Sequence, residues 1–163
     1  MTPTGVPPRI AVVGASSLIG EAVLDTLRAR KVPYAALHAL DDERSLGRPI
    51  ASDENGEKGQ PPQVIPVSAF DFSSIDLAFF CGGAVLAERY AEAVAAHAWV
   101  IDSSAAFRGR SDVPLIIADV NGGELAGVGS RGLFSLPGSA SVALAVNSEK
   151  VVCPQDPDSA ART

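Results

Sequence analysis

Short apolar runs alternate with segments of helical periodicity through most of this chain. Arg9–Val13 is a run rich in β-branched residues that stops at Gly14, and apolar residues then recur at helical spacing over Leu18–Leu27. A second apolar run, Tyr34–Leu40, follows after a short connection. This order predicts a strand, a glycine turn, a helix and a second strand, which together form the βαβ unit of a parallel sheet.

The same alternation returns around and beyond a polar stretch. Residues 41–63 are rich in Gly, Pro, Asp and Glu, which predicts a surface excursion, and Val64–Val67 is a candidate short strand in this region. The later segments are a strand at Ile75–Cys81, a helix at Ala84–His97, a strand at Trp99–Ile101, and apolar runs at Val113–Ala118 and Gly132–Phe134 with a helical turn at Asn121–Leu125 between them. Strands and helices in this alternation predict an α/β fold with a doubly wound, mostly parallel sheet and right-handed crossovers.

The length of the chain limits it to one domain. Its 163 residues suit a single hydrophobic core, and a composition of 47% hydrophobic and 20% charged residues excludes a disordered or collagen-like chain. We assign the domain to residues 8–147. Residues 148–163 follow neither period and contain two prolines, so we expect an irregular tail that is disordered, a linker stub or not native to the fold.

Charge and the rarer residues exclude several classes of function. A formal net charge of −6 without a basic patch argues against nucleic-acid binding, because that affinity comes from clustered Lys and Arg. The spacing of Cys81, Cys153, His38 and His97 suits neither a metal site nor a disulfide framework. No apolar stretch reaches the roughly 18 residues of a membrane span, and the N-terminus lacks the layout of a signal peptide. We expect a cytoplasmic protein that contacts no membrane.

The first candidate site is the glycine turn itself, Gly14-Ala15-Ser16-Ser17-Leu18-Ile19-Gly20. Gly14 suits a tight turn that lets a dinucleotide pyrophosphate approach the backbone, and Gly20 suits close contact between helix and sheet. Ser16 or Ser17 either bonds a phosphate oxygen at the helix N-terminus or caps the helix. Because Ser17 stands where such turns often carry glycine, an ordinary capped turn is the alternative.

Charged residues after the second predicted strand give conflicting signals about a cofactor. Asp41 lies 21 positions after Gly20, near where an acidic residue reaches the ribose 2′-hydroxyl in NAD sites. Arg44 and Ser45 suit a 2′-phosphate instead. A solvated charged loop is the alternative to both.

Two further sites follow later predicted strands. Asp102-Ser103-Ser104 and Arg108 come directly after a strand, where an arginine suits a phosphate or carboxylate, and a surface arginine is the alternative. Ser139 begins a helical segment after the last strand, but no His follows it in the chain, and a serine hydroxyl without a base is inert. Helix capping is therefore the favoured role of Ser139.

In this order and spacing, the four sites resemble the N-terminal coenzyme domain of the aspartate-semialdehyde dehydrogenase family. The resemblance covers Arg9–Leu144 and is most specific in Val12–Ser16 through Gly20, Arg44–Gly47, Gly82–Gly83, Val100–Asp102 through Arg108, and Asp112–Leu115 through Asn121. It implies a Rossmann-like fold that binds NADP or NAD. The family reaction is the reductive dephosphorylation of aspartyl phosphate to the semialdehyde through a cysteine thioester, in the biosynthesis of lysine, threonine and methionine.

The resemblance also implies roles for individual residues. In the family, the residues that line the cofactor pyrophosphate match Ser16, Ser17, Leu18 and Ile19. Arg44 and Ser45 match the pair that meets the 2′-phosphate, and Arg108 matches the arginine that binds the phosphate group of the substrate. The implied cofactor site also includes Gly14, Gly20, Gly82 and Gly83.

Departures from the family pattern concern catalysis and cofactor choice. Ser139 follows Leu136-Pro137-Gly138 where the family has Asn-Pro-Asn-Cys, so a hydroxyl replaces the nucleophilic thiol, and such a hydroxyl is essentially never ionised at neutral pH. Asp42 stands where many members have a small hydroxyl residue, which leaves the choice between NADP and NAD open. The chain also stops where the family's C-terminal dimerisation and catalytic domain should begin.

We therefore expect a catalytically impaired member, closest in character to USG-1-like homologues that lack the cysteine. The alternatives are a non-catalytic interaction or vestigial protein, or one half of a split enzyme. Its expected partners are a nucleotide cofactor and either a second copy of the chain or the missing catalytic half.

Overall fold

A computed structural model describes residues 6–45, 63–127 and 131–138. Its strands and helices are β1 Arg9–Val13, α1 Leu18–Ala29, β2 Ala36–Asp41, β3 Val64–Pro66, β4 Leu77–Phe80, α2 Ala84–Ala95, β5 Trp99–Asp102, α3 Ala118–Asn121 and β6 Gly132–Ser135. Short 3-10 turns cover Glu43–Ser45, Val67–Ala69, Phe72–Ser74 and Gly122–Gly127. None of the described helices is long and apolar enough to cross a membrane.

The six strands of the described residues form one parallel sheet in the order β3-β2-β1-β4-β5-β6. The chain builds outward from β1 to β2 and β3, and then returns to place β4 on the other side of β1. The strand order therefore reverses between β1 and β4, and a doubly wound sheet opens its ligand crevice at the carboxyl ends of such a pair. The predicted fold class is confirmed.

Alternate residues of β1 enter two separate cores, one on each face of the sheet. Ala11 and Val13 belong to the larger core, which contains the buried residues of α2, whereas Val12 belongs to a smaller core with Leu24 of α1. All three of these β1 residues are fully buried. A strand covered on both faces needs apolar residues at every position, which is why Arg9–Val13 is a continuous apolar run after its first residue.

Two side-chain contacts link neighbouring strands of the sheet. The carboxylate of Asp76, just before β4, accepts the Nε and Nη2 donors of Arg9 at 3.0 and 3.1 Å and the N–H of Arg9 at 2.8 Å. This bidentate pair joins the amino ends of β1 and β4. In the neighbouring strands β5 and β6, the ring of Trp99 stacks on that of Phe134, with ring centroids 4.9 Å apart.

Most predicted elements are present, with shifted ends. The strand predicted at Tyr34–Leu40 starts at Ala36, which pairs with Arg9, and extends to Asp41. The apolar run Val113–Ala118 contributes only a single bridge, between Leu115 and Ser135, and its last residue begins α3. The strand in Val64–Val67 ends one residue earlier than expected. The predicted tail, residues 148–163, lies outside the described residues.

Candidate functional site

The loops that follow β1 and β4 touch where the strand order reverses. Gly14 has a φ of 80°, a left-handed conformation that favours glycine, and a Cβ atom there would lie closer than 3.0 Å to the backbone of Gly82. A Cβ atom at Gly82 would meet the side chain of Leu86, and one at Gly20 would meet the carbonyl oxygen of Gly14. The three glycines therefore allow two loops and the first turn of α1 to pack closer than side chains permit.

Ser17 is the N-cap residue of α1. Its hydroxyl oxygen accepts the N–H of Gly20 at 3.0 Å, and its hydroxyl donates to the carbonyl oxygen of Cys81 at 3.0 Å. The cap satisfies one of the N–H groups that every helix leaves without a partner in its first turn. Of the two roles that the sequence leaves open, capping is thus the one that Ser17 has in this structure.

Two N–H groups at the start of α1 remain available to a ligand. Those of Leu18 and Ile19 have no acceptor among the described residues. The side chains of Leu18 and Ile19 are 85% and 48% exposed, so this turn of the helix faces solvent. Aligned peptide dipoles place about half a positive charge at such a helix end. The start of α1 therefore favours an anion such as a pyrophosphate.

The start of α2 adjoins the same contact between loops and is also open. Its N-cap residue is Gly83, which has a φ of 88° and no side chain to cap the helix. A Cβ atom at Gly83 would have no heavy atom within 4 Å, so there is free space beside it. Val85, in the first turn of α2, is 78% exposed. This end of the crevice therefore offers N–H donors and an apolar surface together.

Asp41 is a buried carboxylate at the carboxyl end of β2, and it bonds the glycine turn. Its Oδ2 atom accepts the N–H of Ser16 at 2.9 Å and the hydroxyl of Ser16, while Oδ1 accepts the N–H of Asp42 at 2.8 Å. These bonds compensate the desolvation of a carboxylate that is only 5% exposed. They also tie the end of β2 to the turn after β1, so the hydroxyl of Ser16 points to Asp41 in this structure.

Asp42 organises the 3-10 turn Glu43–Ser45. Its Oδ1 atom accepts the N–H of Arg44, the N–H of Ser45 and the hydroxyl of Ser45, each at 3.0 Å. The guanidinium of Arg44 is exposed and makes no hydrogen bond or ion pair with the described residues. Arg44 and Ser45 thus lie together after β2, but the donors of Ser45 are already engaged by a carboxylate of the chain.

Arg108 joins the loops after β5 and β6. Its Nε atom donates to the carbonyl oxygen of Leu136 and its Nη2 atom to that of Ser103, both at 2.8 Å. Its Nη1 atom has no acceptor in the described part of the chain, and a Cβ atom at Gly138 would lie 3.6 Å from it. Arg108 therefore keeps donors for an anion beside the segment that leads to Ser139. Ser139 itself lies outside the described residues.

The buried Asp102, at the carboxyl end of β5, supports the loop that carries Arg108. Its Oδ1 atom accepts the N–H of Ser104 at 3.0 Å and its Oδ2 atom accepts the hydroxyl of Ser104 at 2.9 Å. Burial raises the pKa of Asp102, against the opposing effects of these two bonds and of the Arg108 charge. The Asp102 and Ser104 pair is therefore a structural turn, and Arg108 is the group of this loop that can meet a ligand.

Cys81 is not suited to act as a nucleophile. Burial raises the pKa of its thiol to about 11, although a hydrogen bond with Ser103 lowers it, and the side chain is only 6% exposed. A thiol of this kind is neither ionised nor accessible near neutral pH. Within the described ranges, no three His, Cys, Asp or Glu residues group so that they could hold a metal ion.

Sequence reasoning missed that Asp41 and Asp42 bond the residues of the candidate site. It considered Asp41 only in relation to a ribose, and Asp42 only as an unusual residue. One signal was available, because parallel neighbouring strands end at the same edge of a sheet. An acidic residue at the end of β2 therefore lies next to the N–H groups of the turn after β1.

The strand order, the glycine turn and the open start of α1 at the switch point define a dinucleotide-binding domain of the doubly wound class. Residues 9–128 match the family model described as semialdehyde dehydrogenase, NAD binding domain. Aspartate-semialdehyde dehydrogenase of Legionella pneumophila is 31% identical over 138 residues, which cover 84% of this chain and 38% of that protein. A USG-1 protein homolog of Azotobacter vinelandii is 33% identical over 138 residues, which cover 84% of this chain and 39% of that protein.

A solved structure agrees with these matches. The crystal structure of aspartate semialdehyde dehydrogenase II from Vibrio cholerae, complexed with ASA, aligns with a TM-score of 0.73 and 30% identity, covering 85% of this chain and 44% of that one. The chain belongs to the semialdehyde dehydrogenase family and contains its NAD-binding domain. It spans about two fifths of the length of the curated relatives that it matches. The resemblance seen in the sequence is confirmed.

Proposed function

We propose that the crevice between β1 and β4 binds the pyrophosphate of a nicotinamide dinucleotide at the start of α1. The observation that carries this proposal is the pair of N–H groups of Leu18 and Ile19, which have no acceptor among the described residues and lie at the positive end of a helix. Ser17 holds this turn in place, and Gly14 and Gly20 keep it free of Cβ atoms that would prevent its close packing.

The rest of the crevice suits the remaining parts of such a cofactor. Gly82 and Gly83 leave the start of α2 open beside the pyrophosphate, and Ser16, Arg44 and Ser45 lie towards β2, where the adenosine ribose of a dinucleotide is held in folds of this class. The cofactor, when bound, supplies hydride chemistry. The residues of this chain bind and orient it.

The Leu18 position offers a sharp test, because proline is tolerated at the first residue of a helix and has no N–H. Ser17 already has the extended conformation that a following proline requires, with φ −80° and ψ 156°. Leu18→Pro therefore removes one donor without disturbing α1. Leu18→Ala is the matched control, because it removes the same side chain and keeps the N–H.

Calorimetric titration with NADH and NADPH provides the readout. A hydrogen bond to a phosphate contributes about 1.5–3 kcal/mol, so we expect Leu18→Pro to weaken binding about tenfold or more, whereas Leu18→Ala binds nearly as the unmodified chain does. Equal weakening in both variants, with both folded by circular dichroism, would assign the effect to the side chain and contradict the proposal. Absence of heat with either cofactor for the unmodified chain would also refute it.

We further propose that this chain by itself does not catalyse the reaction of its relatives. Arg108 is suited to the phosphate group of an acyl phosphate, because its Nη1 atom has no acceptor in the described part of the chain. The family nucleophile is a cysteine, and at Ser139 a hydroxyl cannot supply the thiolate that both forms and releases a thioester. Arg108 would therefore bind an anion without the thiol chemistry that the family reaction requires.

An assay with aspartate semialdehyde, phosphate and NADP or NAD tests whether the chain by itself catalyses the reaction. We expect no reduction of cofactor by the unmodified chain. Turnover would contradict the proposal. Ser139→Cys distinguishes the effect of the hydroxyl from that of an absent catalytic domain. A gain of activity in this variant would assign the deficit to the hydroxyl alone.

A non-catalytic role is the second candidate, and the similarity to a USG-1 protein homolog favours it. Such a role includes a homodimer or pairing with a separate catalytic half, and sedimentation analysis of the chain distinguishes a monomer from a dimer. A cytoplasmic location belongs to the same proposal. The free thiol of Cys81 is consistent with a reducing compartment.

A further inference from the structure

We propose that the cofactor site prefers NAD(H) to NADP(H), because the carboxylate of Asp42 occupies the donors that a 2′-phosphate needs. This inference rests on the proposed binding of a nicotinamide dinucleotide and specifies which one. A phosphate is recognised by convergent N–H and hydroxyl donors. The turn after β2 provides such a group of donors, but they already donate hydrogen bonds to the carboxylate of Asp42.

The bonds of Asp42 show how completely the donors are used. A single oxygen, Oδ1, accepts the N–H of Arg44, the N–H of Ser45 and the hydroxyl of Ser45, all at 3.0 Å. Two backbone N–H groups and a hydroxyl that converge on one oxygen are a typical environment for a phosphate oxygen. A 2′-phosphate would have to displace this carboxylate, whereas a 2′-hydroxyl needs only a single acceptor.

Asp41 supplies an acceptor for that hydroxyl. Its Oδ2 atom has two donors from Ser16, but its Oδ1 atom accepts only the N–H of Asp42 among the described residues. A carboxylate oxygen has two lone pairs, so Oδ1 can accept one more hydrogen bond. Asp41 is the last residue of β2, the position from which an acidic residue meets the ribose of NAD in doubly wound folds.

The local charge also disfavours a 2′-phosphate. Asp41, Asp42 and Glu43 are consecutive acidic residues, and the basic Arg44 directly follows them. A 2′-phosphate would bring a further charge of about −1.5 to −2 to this place. The exposed guanidinium of Arg44 attracts a phosphate, but it can equally stack on an adenine ring, where no charge is required of the ligand.

Direct binding by calorimetry tests the preference without depending on catalysis. For the full chain we expect NADPH to bind at least about tenfold more weakly than NADH. Asp42→Ser removes the charge and leaves a short hydroxyl that can itself donate to a phosphate, so we expect it to tighten NADPH about tenfold and leave NADH within about twofold. Asp42→Asn, which keeps the shape and loses the charge, gives an intermediate result and serves if Asp42→Ser is unstable.

Glu43→Gln is the matched control. It removes one negative charge at the adjacent position, but the Glu43 carboxylate contacts the hydroxyl of Ser68 at 3.2 Å and is bonded to none of the donors held by Asp42. If Glu43→Gln tightened NADPH binding as much as Asp42→Ser does, a general effect of charge would explain the result and the inference would be overturned. NADPH binding as tightly as NADH to the unmodified chain would also overturn it, while leaving the proposed function intact. Binding of neither dinucleotide would overturn both.

Discussion

The hydroxyl of Ser17 donates to the carbonyl oxygen of Cys81 while accepting the N–H of Gly20, so one side chain joins the end of β4 to the start of α1. Ser17 and Cys81 lie 64 residues apart in the chain. The crevice at the strand reversal is therefore closed at its base by a hydrogen bond as well as by the contact between two glycines.

Replacing Ser17 should distinguish how much each of its two hydrogen bonds contributes to stability. Ser17→Ala removes the helix cap and the donor to Cys81, and we expect it to lower the free energy of unfolding by about 1–3 kcal/mol, measured by urea denaturation. Ser17→Asp keeps an acceptor for the N–H of Gly20 but has no hydroxyl donor, so it should recover only part of the loss. Full recovery by Ser17→Asp would show that the bond to Cys81 contributes nothing.

Gly14 and Gly109 have nearly the same backbone conformation in different surroundings, which makes them a matched pair. Their φ angles are 80° and 83°, but a Cβ atom at Gly14 would collide with Gly82, and one at Gly109 would have nothing within 4 Å. Gly109→Ala should cost about 1–2 kcal/mol from the left-handed conformation alone. Gly14→Ala should cost at least about 1–3 kcal/mol more because two loops must separate.

Thermal denaturation of the two variants provides the comparison. We expect Gly14→Ala to melt clearly below Gly109→Ala, or not to fold at all. Equal melting temperatures would mean that the loops after β1 and β4 do not touch.

The pair between Arg9 and Asp76 predicts a dependence of stability on pH. The side-chain hydrogen bond from Arg9 holds the pKa of Asp76 below its usual range. Because the folded-state pKa is the lower one, the pair stabilises the fold fully above the unfolded-state pKa of about 3.9, and this contribution is lost as the pH falls through the folded-state value.

Asp76→Asn removes this contribution. We expect the variant to be less stable than the unmodified chain at neutral pH, and we expect the difference to shrink as the pH falls from about 5 to about 2, measured by urea denaturation at each pH. Asp25→Asn is the control, since Asp25 forms an exposed pair with Arg28 within α1 at 3.5 Å. A difference for Asp76→Asn that stays constant with pH would contradict the assignment.

Cys81 should be unreactive in the folded protein. Burial raises the pKa of its thiol to about 11, so at pH 8 the thiolate is on the order of a hundredfold rarer than in an unfolded chain, before shielding is counted. Iodoacetamide labelling in a Cys153→Ser background, followed by mass spectrometry, should modify Cys81 only after urea is added. Rapid labelling of the folded chain would show that the end of β4 is open to solvent.

The sequence predicts this sheet well because its central strands are buried on both faces. Such strands are continuous apolar runs, and glycine marks the turn after the first of them, so β1, α1 and β4 follow from pattern alone. The run Val113–Ala118 is apolar for a different reason. Val113 and Ile116 are buried although the segment forms only one bridge to β6, and periodicity does not distinguish these two cases.

The candidate site is predictable in its location and less so in its bonds. Gly14, Gly20 and the hydroxyl residues after Gly14 fit a pattern with a physical reason for each residue. The pattern does not say which hydroxyl caps the helix, since Ser16 and Ser17 are adjacent and both can. That choice depends on Asp41 and on the carbonyl oxygen of Cys81, which come from β2 and β4 and reach the turn only when the sheet forms.

Trp99 is the one tryptophan of the chain, and it stacks on Phe134 of β6. Indole emission depends on its immediate neighbours, and here the neighbour belongs to β6, which ends the order of the described strands. The protein therefore contains its own optical reporter for the packing of β6 against β5, and Phe134→Leu would identify that signal while keeping an apolar residue at this position.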